Sequence, residues 1–166
     1  MEGDPAAVAR EIIDAGQYMV LATADEGGRP WPTPVWFAMS GYTEFFWVSS
    51  PAATHSRNIA LRPAVGIVIF DSQAPIGAGQ GVYMTAEARA VTGPEIDLGI
   101  SVFTRRSVAQ HGSPWTPDDV RGEAPIRLYL AKATTHSILA KDGQPDHRIM
   151  VDIGGMAPTP AQGGSR

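Results

Sequence analysis

The sequence predicts a mainly β fold with helical additions, a small antiparallel barrel of six to seven strands. Three observations predict it. Runs of strand length recur along the chain and are bounded by turns rich in Gly and Pro. Most of the connections between them are short. A single short helix interrupts the strands, whereas a parallel α/β sheet alternates strand and helix throughout. The chain has 166 residues, enough for one domain with a real core.

Each element has its own signal. Residues 4–16 read as a helix, with Asp4 as N-cap, Pro5 at the first helical position, an apolar stripe of Val8, Ile12 and Ile13, and Gly16 at the end. Tyr18 to Ala24 read as a strand, and DEGGRP as a turn. PTPVWFAM, residues 32–39, reads as a second strand whose prolines confine it to an edge or a bulge. EFFWVSS, residues 44–50, is a third. Residues 53–62 form a short helix stopped by Pro63. AVGIVIF is a continuous apolar run, which predicts a strand buried on both faces.

In VYMTAEARAV, Val82, Met84, Ala86 and Ala88 alternate with Tyr83, Thr85, Glu87 and Arg89, the period of a half-buried strand. Residues 94–111 carry Ile96, Ile100 and Phe103 at helical spacing and belong to a helical insertion spanning 94–121. IRLYLAKATTHSILA is the last long strand, and DGQPDHRIMV turns back into a short one. Residues 1–153 make one domain. The Gly/Pro/Ala-rich stretch 154–166 is expected to be disordered.

Composition excludes several function classes. The chain has no cysteine, hence no disulfide scaffold, thiolate metal site, iron–sulfur cluster or Cys nucleophile. A formal charge of −4 argues against a nucleic-acid partner. No stretch reaches the ~18 apolar residues of a membrane span. The first ten residues lack a basic region followed by an apolar run, so the expectation is a cytoplasmic protein with no membrane partner. His55, His111, His136 and His147 show no metal-ligand spacing, so no metal is expected. There is no Gly-x-Ser-x-Gly elbow. The glycines of GAGQG, residues 77–81, are not followed by a helix and make no dinucleotide fingerprint.

One segment concentrates chemistry. SSPAATHSRN brings Ser49, Ser50, Thr54, His55, Ser56, Arg57 and Asn58 together where a strand gives way to a helix. Free N–H groups at a helix start, hydroxyls and a cationic side chain together make an anion site. The alternative is that Ser50 or Thr54 caps the helix and Arg57 is a solvated surface residue. The aromatic residues Trp31, Trp36, Phe37, Phe45, Phe46 and Trp47 fall on two strands expected to be neighbours. They read either as core or as a platform for a flat heterocycle.

The order of these segments resembles the pyridoxamine 5′-phosphate oxidase-like family of FMN-binding split barrels, over most of residues 6 to 153. HSRNIALRPAVGIVIF carries the most specific likeness. The resemblance implies a split β-barrel and a homodimer with the flavin between subunits. It implies that FMN lies along Thr33, Val35 and Trp36, with Ser49 and Ser50 giving hydroxyls to its phosphate. The cationic position of the following helix is His55, with Arg57 two residues on and Asn58 as the motif asparagine. Gln80 falls beside a position that reaches the flavin, and Arg148 resembles a C-terminal arginine that closes over the cofactor. A histidine where the family has Lys or Arg gives a weaker phosphate site when neutral, since it titrates near pH 6.5.

The implied activity is an FMN-dependent oxidoreductase with a small-molecule substrate and an electron donor such as NAD(P)H. Neither a substrate nor a catalytic residue is assigned. Three alternatives stand beside it. One is a deazaflavin-dependent reductase. Another is a non-enzymatic flavin- or haem-binding protein, with His55, His111 or His136 as axial ligand. The last is a structural or regulatory dimer with a vestigial site.

Overall fold

The computed structural model describes residues 3–154. In chain order the elements are α1 (Pro5–Ala15), β1 (Tyr18–Ala24), β2 (Pro30–Trp36), β3 (Ala38–Ser40), β4 (Glu44–Ser49), α2 (Thr54–Leu61), β5 (Ala64–Phe70), β6 (Gly81–Ala90), α3 (Glu95–Ala109), β7 (Arg127–Leu139) and β8 (Arg148–Met150), with a 3₁₀ turn at Pro117–Val120. No helix among the described residues is long and apolar enough to cross a membrane. Of the segment expected to be disordered, 155–166 lies outside the described residues.

Eight antiparallel strands form one sheet in the order β2-β1-β5-β6-β7-β4-β3, with β8 paired to β7. The two ends of this sheet are consecutive in the chain. Only Phe37 separates Trp36 in β2 from Ala38 in β3. That covalent link holds the first and last strands side by side, so the sheet curls into an open barrel. Phe37 is fully buried, and its N–H donates to the Gln17 carbonyl instead of joining a ladder.

This corrects the expected single strand over 32–39, and the expected count of six to seven. One apolar run serves two strands at opposite edges, because its backbone changes partner at Phe37. It also separates the aromatic set. β3 pairs with β4, but β2 pairs with β1.

The prolines of β2 behave as their chemistry demands. Pro30, Pro32 and Pro34 face Ala24, Ala22 and Val20 of β1. They cannot donate, so the ladder runs through Trp31, Thr33 and Val35. The proline carbonyls then turn to the open edge, which lacks an N–H at these three positions.

Alternation sorts the side chains into two cores. Phe45, Trp47, Tyr129 and Ala131 point into the barrel with Met19, Leu21, Ile67, Ile69 and Val82, and Ile13 of α1 closes that interior. Phe46, Leu128 and Leu130 point outward, where Ile100 and Phe103 of α3 cover them. Gly99 lets α3 approach. A Cβ there would sit 2.7 Å from Leu128 Cδ2 and 3.0 Å from Phe46 Cε1.

One further expectation holds for a different physical reason, and another changes. Gly16 does follow α1, but its φ is −69°. The glycine is there because a Cβ would meet Ile69 Cγ2 at 2.6 Å. Strand β5 is buried on one face only. Val65, Ile67 and Ile69 are inside, while Phe70 is 50% exposed. Among the described residues no helix covers the other face, so the apolar run meets solvent in the single chain.

Candidate functional site

A cleft of about 630 Å³ opens where β2, the end of β4, the start of α2 and the region after α3 meet. One wall is the β2 stretch Thr33–Trp36. Phe103 and Trp115 form the other, and Ser49 with His55 closes one end. Phe103 packs edge-on against both Trp36 and Trp115, at centroid distances of 4.9 and 5.4 Å. The Trp36 indole N–H donates to Gln110 Oε1 at 2.9 Å.

The polar end is built by the turn between β4 and α2. Ser49 is the last residue of β4, and His55 lies in the first turn of α2. The imidazole Nε2 is 2.8 Å from Ser49 Oγ. His55 is 6% exposed, and this burial lowers its pKa below the ordinary histidine value, with no charged side chain contributing. Burial thus favours the neutral ring over the charged one.

Helix α2 has no side-chain cap. Ser50 instead accepts the Ala52 N–H, so the capping alternative for Ser50 and Thr54 does not hold. The first-turn N–H groups of α2 remain available to an anion. Thr33 Oγ1, also on the cleft, is buried without a hydrogen-bond partner, and so is Ser56 Oγ.

Of the residues expected in a cofactor site, Thr33, Val35, Trp36, Ser49 and His55 come together on this cleft. The others lie elsewhere in the single chain. The Arg57 guanidinium folds back onto the Ala52 carbonyl and stays exposed. Asn58 is buried and ties α2 to β1 by donating to Thr23 Oγ1 at 3.0 Å. Gln80 bridges β6 and β7, donating to the Leu139 carbonyl at 2.8 Å and accepting the Leu139 N–H at 3.1 Å. Arg148 stacks over the Tyr83 ring at 4.0 Å on the outer face of the sheet.

Sequence reasoning missed Phe103, Ser107, Ser113 and Trp115. Their signal was faint: a tryptophan in a Pro-flanked loop, where a large aromatic has no strand to bury it.

The family model for pyridoxamine 5′-phosphate oxidase matches residues 6–136. This chain belongs to the pyridoxamine 5′-phosphate oxidase family. Solved structures of similar fold carry different cofactor names. A haem binding protein from Mycobacterium smegmatis aligns with a TM-score of 0.67 and 18% identity, covering 90% of this chain and 59% of that one. The chain thus spans little more than half the length of that relative. HutZ, the haem storage protein of Vibrio cholerae, aligns at 0.60 with 20% identity, over 75% of this chain and 86% of its own. An F₄₂₀ reductase aligns at 0.57 with 17% identity, over 78% of this chain and 95% of its own. At these identities the likeness is one of fold. No curated protein matches the chain by sequence.

The cleft fits a flavin in its chemistry. Its aromatic walls suit a flat heterocycle, its volume lies in the range of cofactor sites, and its polar end gathers donors without a carboxylate. The unpartnered Thr33 hydroxyl is a buried group that a ligand would satisfy.

Proposed function

We propose that this family member is an FMN-dependent oxidoreductase acting on a small molecule, with an electron donor such as NAD(P)H. The observation that carries the reading is the cleft itself, with aromatic walls and the Ser49–His55 pair at one end. Trp36 and Trp115 would flank the ring system. Ser49, His55, Thr33 and the uncapped start of α2 would hold the phosphate. Bound FMN supplies the hydride or electron transfer, and the protein binds and orients it.

The reading includes a homodimer. The outer face of β1 and β5 is apolar, and Val20, Val68 and Tyr83 lie in register across it. A second copy would cover it. Gln80 and Arg148 lie away from the cleft of their own chain, so any part they take at a flavin would be through the neighbouring copy.

The test is direct. FMN added to purified protein should show saturable fluorescence quenching, weakened at least tenfold by Ser49→Ala combined with His55→Ala. Fluorescence indifferent to protein concentration would overturn the reading.

A second reading, haem binding, rests on His55 being the histidine on the cleft. His111 is exposed just after α3, and His136 Nε2 lies 2.8 Å from the Tyr42 carbonyl. Haem titration would then give a Soret band that His55→Ala abolishes. A band that survives in that variant counts against His55 as the axial ligand.

A further inference from the structure

We infer that the cleft captures the single anionic group of its ligand together with one proton, taken up at His55. The inference rests on the placement of the ligand in this cleft and adds its charge class and pH response.

Of the residues lining the cleft, His55 alone titrates, and none is Lys, Arg, Asp or Glu. The nearby arginines are engaged elsewhere. Arg57 bonds the Ala52 carbonyl, Arg62 just after α2 bonds the Glu26 carbonyl, and Arg127, cross-strand from Ser49, bonds the Gly122, Ala124 and Ile126 carbonyls. Arg106 of α3 donates to the Gly16 carbonyl and lies over the Phe37 ring. Strand β4 brings the Ser49 hydroxyl to His55, β2 brings the Thr33 hydroxyl to the same cleft, and the α3 side brings Ser107 and Ser113. The cleft therefore carries no fixed positive charge.

Neutral donors suit one negative charge. The hydroxyls and the open first turn of α2 would stabilise it by oriented dipoles. A phosphate monoester above pH 7 brings close to two charges. The second is unbalanced unless a proton arrives, and His55 is the group that can take it. Its Nε2, 2.8 Å from Ser49 Oγ, lies at the end of the cleft where the anion would sit. Ligands with several separated charges, such as a pyrophosphate or a polyanionic tail, would find no second cation among the cleft residues of one chain.

Proton uptake fixes the pH response. Affinity should fall close to tenfold per pH unit while His55 is neutral in the free protein and charged in the complex. The window from pH 6.5 to 8.5 lies above the second ionisation of the phosphate, ~6.

The experiment is calorimetric titration with FMN at pH 7.5 in two buffers of different ionisation enthalpy, with riboflavin as the phosphate-free comparison. Uptake near one proton with FMN and near zero with riboflavin is expected. His55→Gln should remove the uptake, and His55→Lys should bind FMN with a flat pH profile. Uptake that persists in His55→Gln, or FMN binding without uptake in the wild type, overturns the inference. A parallel NMR titration of the His55 ring with inorganic phosphate, against chloride at equal ionic strength, separates the two readings. If neither flavin binds, the flavin reading fails, and the phosphate titration decides the anion site. There, a higher His55 pKa in phosphate supports the inference, and an unchanged one overturns it.

Discussion

The Trp36 indole N–H reaches Gln110 Oε1, 74 residues away, and joins the strand wall of the cleft to the end of α3. Together with the edge-on Trp36–Phe103 contact, this bond fixes β2 against α3 beside the cleft. Gln110→Ala should cost about 0.5–1.5 kcal/mol in urea unfolding, the usual worth of such a bond. It should also speed flavin release, read by stopped-flow fluorescence. A variant with wild-type stability and release rate would mean that packing by Phe103 alone sets the wall.

The sequence made the local elements legible and hid the partnerships. Asp4 and Pro5 announced α1, and Asp4 does accept the Ala6 N–H at 3.1 Å. The alternation in Val82–Arg89 gave the burial of β6 residue by residue. Phe37 could not be read as a boundary, because a change of ladder partner leaves an apolar run unbroken. The Ser49–His55 end of the cleft was legible because its residues are close in sequence. The other wall was not: Trp115 reaches it only because α3 packs on β3 and β4, a long-range event with no local signature.

Burial of two histidines gives the apoprotein a pH-dependent stability. Both His55 and His136 titrate below the ordinary value of 6.5, chiefly through burial. The unfolded chain therefore takes up protons at these sites before the folded chain does. Their contribution is present above pH 6.5 and is lost as pH falls below it toward the folded-state values. The melting temperature should drop between pH 7 and 5, and the drop should shrink in His55→Gln. Saturating FMN should reverse the slope near neutrality, since the complex favours the charged ring. An apoprotein melting temperature flat over this range would sink the idea.

Gly99 should be intolerant of a side chain despite lying inside a helix. Alanine is intrinsically the better helix former by about 1 kcal/mol. The added Cβ would meet Leu128 Cδ2 at 2.7 Å and Phe46 Cε1 at 3.0 Å. Overpacking of this kind costs about 1–3 kcal/mol. We expect Gly99→Ala to lose stability on balance and to move Phe103, hence the cleft. A stabilised variant would show that α3 can lift off without consequence.

The bare face of the sheet sets the last prediction. Tyr18 is 59% and Phe70 50% exposed, and Val20 and Val68, two residues along each strand, pair directly. Ala22 and Gly66 continue the two strands with small side chains, which leaves a flat surface. Such a patch on an isolated chain has no compensating contact, and burying it against a copy of itself supplies one. Phe70→Asp would place a charge at the rim of that contact while losing little inside the single chain, because the ring is already half in water. Light scattering should therefore give a dimer for the wild type and a monomer for Phe70→Asp. If the neighbouring copy completes the flavin site, the variant should also lose flavin affinity by tenfold or more while keeping its circular dichroism spectrum. A monomeric wild type at all concentrations would remove the dimer from the proposal. A monomeric variant with full affinity would confine the site to a single chain.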